Sequence, residues 1–202
     1  MDALPATAEE RAAEWIARGN DLYRQGAVSE AITYYLDALA LMPEDEDIHY
    51  NLGMAYARAG QSEAAERHYR LALEFFEDYP EVHNNLGNLL ASQDRLAEAE
   101  VHLRTAVDLW PEYAMAHNNL GTLLRRQGKR AEALASFREA VKLEPEYWEA
   151  QFNLGQASLA EADLEAAIAA FRQVRRLQPD FEPARELLAR LESASPPPPV
   201  SP

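Results

Sequence analysis

The chain has 202 residues, 48% of them apolar, which is enough for a substantial core and too many for a chain without a fold. Nineteen Lys and Arg stand against 34 Asp and Glu, and the formal net charge of −15 repels phosphate backbones and anionic lipid, so neither nucleic acid nor a membrane is an expected partner. Cysteine is absent, which closes disulfide, thiolate and Cys-ligated metal chemistry.

The start, Met1 to Trp15, lacks a basic segment followed by an apolar one, so a cytoplasmic protein is expected. No run approaches the ~18 apolar residues of a membrane-spanning helix. Residues 1–11 form a lead-in in which Thr7-Ala8-Glu9-Glu10 reads as a capping box opening the first helix. From there the glycines set a period of 34: Gly19, Gly53, Gly87, Gly121 and Gly155. Gly26, Gly60 and Gly128 each follow one of these by seven residues, so all eight glycines belong to one scheme. Alanines repeat it at Ala31, Ala65, Ala99, Ala133 and Ala167, and again at Ala38, Ala72, Ala106 and Ala140, a second series that Val174 breaks. Between the two series lie Tyr35, Tyr69, Leu103, Phe137 and Phe171. Prolines close four units at Pro43, Pro111, Pro145 and Pro179, while in the second unit Glu77 takes that place and Pro80 follows. The period divides 12–181 into five units, 12–45, 46–79, 80–113, 114–147 and 148–181.

Each unit holds two amphipathic stretches of roughly 14 residues, ~21 Å long at helical rise, joined by a turn. Two such helices form a hairpin whose small residues allow close approach while the ring fills the wider gap. A single hairpin cannot bury both faces and is stabilised by stacking on the next. Glu44, Glu81, Glu112, Glu146 and Asp180, each directly after a proline, are expected at helix N-termini, where the helix dipole favours negative charge. Arg18 stands where later units carry Leu52, Leu86, Leu120 and Leu154, as suits a solvent-facing first repeat. Ala184, Leu187, Leu188 and Leu191 share one helical face and predict a capping helix over 182–193. Residues 194–202, with Pro196 to Pro199, predict a disordered proline-rich tail.

The pattern Leu-Gly, Tyr or Leu, Gly, Ala, aromatic, Ala and Pro at 34-residue spacing resembles the tetratricopeptide repeat family over 170 of 202 residues. The resemblance implies an all-α, right-handed superhelical solenoid of five antiparallel helix hairpins plus a C-terminal capping helix. It further implies a non-catalytic protein–protein interaction adaptor that holds an extended peptide or partner segment in its concave groove.

Asparagine is a poor helix former, by roughly 0.6 kcal/mol against alanine, yet all eight fall in first helices. Asn51, Asn85, Asn119 and Asn153 immediately precede the Leu-Gly pair, Asn84 and Asn118 come one residue earlier, and Asn20 and Asn88 follow the glycine. An amide offers one acceptor and two donors, so a row of them can bind the N–H and C=O groups of an extended peptide. The row resembles the asparagine ladder in the superhelical repeat region of O-linked N-acetylglucosamine transferases, whose catalytic domain has no room here. Tyr23, Tyr50, Met54, Phe152, Arg58, Arg125 and Arg126 are expected to add affinity along the same wall. Its thirty positions sum to a net charge of +1, so the rest of the chain is strongly acidic, and Arg125 and Arg126 suit an acidic ligand side chain. The alternative is that the amides only tie helices together and the chain is a structural scaffold assembling through its ends or convex face.

Other chemistry finds little support. A family clamp for chaperone C-terminal carboxylates would use Asn84, Asn88 and Asn119, but Glu149 and Asn153 occupy the positions that need lysine and arginine. His49, His83 and His117 recur every 34 residues, about 10 Å apart in stacked hairpins, too far to share a metal ion, and are expected to replace Trp15 as packing rings. His68 and His102 are expected to be solvated among acidic neighbours. Glu44-Asp45-Glu46-Asp47 lacks the spacing of a calcium loop, and no phosphate loop, His-Glu-x-x-His or serine triad is present. No enzyme activity, metal or cofactor is expected.

Overall fold

A computed structural model describes residues 7–194. Among them are eleven α-helices: α1 Ala8–Gln25, α2 Val28–Leu41, α3 Glu46–Arg58, α4 Ser62–Phe75, α5 Pro80–Ser92, α6 Leu96–Leu109, α7 Ala114–Arg126, α8 Arg130–Leu143, α9 Trp148–Ala160, α10 Leu164–Leu177 and α11 Glu182–Ala194. The all-α hairpin architecture expected from the period is present. The chain forms two compact units divided at Leu109/Trp110, a boundary the sequence period does not mark. The first consists of the hairpins α1/α2, α3/α4 and α5/α6, with α2 packed on α3 and α4 on α5. The second consists of α7/α8 and α9/α10, with α8 packed on α9 and α11 on α10. The tail from residue 195 lies outside the described residues.

The hairpins close on the contact the periodic glycines permit. A Cβ on Gly53 would lie 2.5 Å from the Tyr69 ring, and one on Gly121 would lie 2.7 Å from Phe137. Tyr35, Phe137, Phe171 and Leu103 are almost fully buried at this position, and the flanking alanines have no exposed surface beyond 1%. Val174 is buried in its alanine slot and contacts α11, where Ala184 and Leu188 complete the terminal core. Arg172 reaches across to Glu192 at 2.8 Å and ties α10 to the same helix. Thr7 makes the expected capping box, its Oγ1 accepting from the Glu10 amide at 3.1 Å and its own amide donating to Glu10 at 2.8 Å. Arg18 is exposed.

One expectation about helix starts is corrected. Only Glu81 lies in a first helical turn, while Glu44, Glu112, Glu146 and Asp180 precede α3, α7, α9 and α11 by two residues. The extra turn arises because Asp45 caps α3 with its own side chain, 2.9 Å from the Ile48 amide, and Tyr113 and Tyr147 occupy the cap positions of α7 and α9.

The turns inside the hairpins all pass through the left-handed region, at Gly26, Gly60 and Gly128 and also at Asp94 (φ 63°) and Ala162 (φ 59°). Left-handed backbone costs a residue with a Cβ about 1–2 kcal/mol, less for Asp, which bonds locally. Ala162→Gly therefore stabilises the second unit by about 1 kcal/mol in chemical denaturation, and Asp94→Gly gives a smaller gain in the first.

Leu22, Tyr56, Leu90 and Leu124 share one repeat position, which Ser158 fills in the last hairpin. Ser158 is completely buried and its hydroxyl has no hydrogen-bond partner among the described residues. Ser158→Ala removes a desolvated donor and raises the melting temperature, by about 1 kcal/mol in stability; an unchanged or lower value would show that the hydroxyl is satisfied.

Candidate functional site

First helices lie side by side within each unit, α3 touching α1 and α5 in one and α7 touching α9 in the other, so their outward faces form a wall. In the first unit these helices carry Asn20, Tyr23, Tyr50, Asn51, Met54, Arg58, Asn85 and Asn88, the residues expected on that wall. Tyr50 lies 5.2 Å from the Tyr79 ring and 6.4 Å from Tyr69. Burial, and secondarily Glu81, pushes the Tyr50 phenol above its usual range, so it remains a protonated hydrogen-bonding group. It accepts a hydrogen bond from the Asn85 amide at 3.4 Å. Tyr79, not anticipated from the sequence, donates to Asp47 at 2.6 Å and takes up part of the wall's negative charge.

The asparagines divide into three groups. Asn84 has no exposed surface and donates to Asn85 Oδ1 at 3.2 Å, and Asn118, 6% exposed, donates to the Tyr147 hydroxyl and accepts from Asn153 at 2.9 Å. These two were expected on the open wall; the helical rotation of one residue from Asn85 and Asn119 turns them into the packing instead. Asn20, Asn85 and Asn153 are half-buried and partly engaged, Asn20 accepting from the Tyr35 hydroxyl at 2.7 Å. Asn51 is half-buried, Asn88 is exposed, and neither has a hydrogen bond among the described residues. Asn119 is half-buried on α7.

Two further expected ligand groups serve the fold. Arg58 donates to the Tyr23 carbonyl at 2.8 Å, a second bond to an oxygen that already accepts from the Gly26 amide at 3.1 Å, and its guanidinium lies 4.8 Å from the Tyr23 ring centre. Phe152 packs 5.1 Å from Phe181 and 5.8 Å from Phe171, in the terminal core. Met54 is half-buried, and Arg125 and Arg126 are exposed on the last turn of α7.

The histidines overturn one expectation. His68 is 3% exposed and His102 half-buried, not solvated. Their Nδ1 atoms lie 2.9 Å from Nδ1 of His49 and His83 respectively. His49 also packs against Phe75, 5.6 Å between ring centres, which fits the packing role expected of it. Nε2 of His49, His83 and His117 contacts a backbone carbonyl six residues upstream, at Pro43, Glu77 and Pro111, and Gln151 does the same to Pro145. The identical 19-residue separations of the two pairs were the signal in the sequence.

Family models described as tetratricopeptide repeat match residues 46–79, 78–146 and 118–181, and one described as TPR repeat matches 19–60. The chain is a tetratricopeptide-repeat protein. No curated protein matches its sequence. Among solved structures, PilF of Pseudomonas aeruginosa superposes with a TM-score of 0.86 at 23% identity, covering 92% of this chain and 85% of PilF. YrrB, described as a TPR protein with an unusual peptide-binding site, gives 0.67 at 23% identity, covering 86% of this chain and 89% of its own. MamA of Desulfovibrio magneticus RS-1 gives 0.73 at 21% identity, covering 86% and 98%. No helix among the described residues is long and apolar enough to cross a membrane, and no three metal-ligating side chains converge there.

Arg58→Ala removes both the bond to the Tyr23 carbonyl and the contact with its ring, and lowers the stability of the first unit by about 1 kcal/mol. Equal denaturation midpoints for wild type and variant would place Arg58 back among the free wall cations.

Proposed function

We propose that this tetratricopeptide-repeat chain is a non-catalytic protein-interaction adaptor that binds an extended peptide or partner segment along its first-helix wall. The observation that carries this reading is the pair Asn51 and Asn88, on adjacent helices α3 and α5, whose amides have no hydrogen bond among the described residues. An amide without an internal partner on a helix, where asparagine is a poor former, has a physical reason to stand there if it bonds a guest backbone. In the first unit Asn85 adds the capacity its internal bonds leave open and Asn20 flanks it; in the second unit Asn153 and Asn119 stand on α9 and α7 of that unit's own wall. Tyr23, Tyr50 and Met54 supply apolar contact. In the second unit Arg125, which has no ion pair among the described residues, and Arg126 beside it favour an acidic ligand side chain. The peptide-binding site described for YrrB supports a peptide ligand by analogy of fold.

Each amide–backbone bond nets about 1 kcal/mol, so two free amides account for roughly 10- to 30-fold in affinity and the rings for the remainder. Dodecamer peptides selected on the full chain by phage display bind Asn51→Ala/Asn88→Ala at least ~10-fold more weakly, with helicity at 222 nm unchanged. Undiminished binding in that variant would favour the scaffold reading, for which exposed Val101, Leu36 and Leu164 on second helices are the contact candidates.

A further inference from the structure

We propose that the pairs His49–His68 and His83–His102 form an acid-released latch on the inter-repeat loops of the first unit, which the second unit lacks. The inference is independent of what the wall binds.

The hydrogen positions follow from the acceptors. A backbone carbonyl only accepts, so His49 Nε2, 3.2 Å from the Pro43 oxygen, carries a hydrogen, and in the neutral ring its Nδ1 is then bare. The hydrogen shared across 2.9 Å therefore belongs to His68 Nδ1. His68 Nε2 is left as an acceptor, and it faces the Arg67 guanidinium at 3.5 Å. The second pair repeats the scheme: His83 Nε2–H donates to the Glu77 carbonyl at 3.0 Å and its Nδ1 accepts from His102. Each second-helix ring thus fixes the tautomer of a first-helix ring, and that ring holds the loop entering its own helix.

In the first pair a further proton is opposed at every open nitrogen. On either Nδ1 it sets N–H against N–H at 2.9 Å, and on His68 Nε2 it meets Arg67. The surroundings give little relief, because Tyr56 stacks on His68 and Phe75 on His49. Around the second pair Arg70 and Arg95 oppose protonation of His102 while Glu98 favours it, and Glu77 and Asp78 favour it at His83. Burial, followed by the partner ring, holds His68 and His102 down to about 4, and burial also lowers His83. At His68 and His102 the unfolded chain takes up a proton below about 6.5 and the folded one only near 4. The latch is therefore complete above pH 6.5 and weakens as pH falls through that window.

The second unit provides the internal comparison. His117 and Gln151 hold the Pro111 and Pro145 carbonyls in the same way, at 2.8 and 3.1 Å. Ser136 and Ala170 occupy the second-helix positions there, and among the described residues Ser136 bonds only to Glu132 of its own helix. The loops of that unit are held with no coupled pair. Tyr50 and Asn51 directly follow His49, and Asn84 and Asn85 follow His83, so the latch also sets the orientation of the first unit's wall.

Site-resolved hydrogen exchange on the full chain tests the latch, with protection factors at pH 7 and pH 5 corrected for intrinsic rates. Amides of α3 to α6 are expected to lose protection at least ~20-fold, the loss one group held near 4 gives at pH 5, while α8 to α10 change less than ~3-fold. His68→Ser/His102→Ser, which copies the arrangement at Ser136, is expected to abolish the difference between the units. Nitrogen-15 spectra of the wild type at pH 7 give a readout that needs no variant: His68 and His102 as Nδ1–H tautomers, His49 and His83 as Nε2–H. Equal loss of protection in both units, no loss in the first, or His68 found as the Nε2–H tautomer would overturn the proposal.

Discussion

Every hairpin depends on one contact, a ring or leucine of the second helix pressed onto the bare Cα of a glycine in the first. At 2.5 Å from an added Cβ, the Tyr69 ring leaves no room for any other residue at Gly53, and the same holds for the four equivalent glycines. That contact sets the distance between paired helices, and buried alanines on either side of the ring keep them parallel to it. The spacing then brings the face of one hairpin within reach of the next, and the first helices of each unit come to lie in a row. The wall is a consequence of packing rather than a separate invention.

Stacking alone leaves the loops between hairpins unspecified, and here the chain uses a second device. Residues 49, 83, 117 and 151 each direct a side-chain N–H to a carbonyl six residues upstream. Three are imidazoles and one is a carboxamide, so the requirement is for a donor at a fixed reach, not for a particular ring. Pro43, Pro111 and Pro145 supply the carbonyl in three cases, and proline, which cannot continue a helix, also marks where the second helix has ended. Glu77 replaces it before α5, where Pro80 occupies the first helical turn instead.

What the sequence disclosed and what it hid divide along a physical line. The 34-residue period was legible because close approach tolerates no substitute at the glycines and few at Ala31 or Ala65. The capping box at Thr7 was legible because it is local. Side-chain partnerships across helices were not. Asn84 and Asn85 are adjacent and chemically identical, yet a rotation of about 100° puts one in the core and leaves the other at the edge. His68 sits among charged residues, as a surface position would, and only the geometry of α3 against α4 brings it to His49. Arg58 and Phe152 have the composition of ligand-binding groups, but the carbonyl and ring that Arg58 meets and the aromatic cluster that Phe152 joins belong to the chain itself.

The distribution of charge narrows what the wall can hold. Outer cations are largely matched by neighbours: Arg70 and Arg95 share Glu66 and Glu98, Arg104 bonds Glu100, Lys142 bonds Glu139, and Arg172 bonds Glu192. Exposed pairs of this kind contribute little to stability, but they use up positive charge and leave the surplus of acids uncompensated on the exterior. A polyanion is repelled before it reaches the wall. In the first unit the proposed binding wall offers amides and phenols, because Arg58 is bound to Tyr23 and Asp47 accepts from Tyr79. On the proposed adaptor reading, recognition there runs through neutral hydrogen bonds and ring contact, which salt screens hardly at all. The second unit differs, since Arg125 projects from α7 without an ion pair among the described residues. On the same proposed reading, a guest engaging that unit is selected by charge as well as by shape, and its affinity falls with ionic strength where that for the first unit does not.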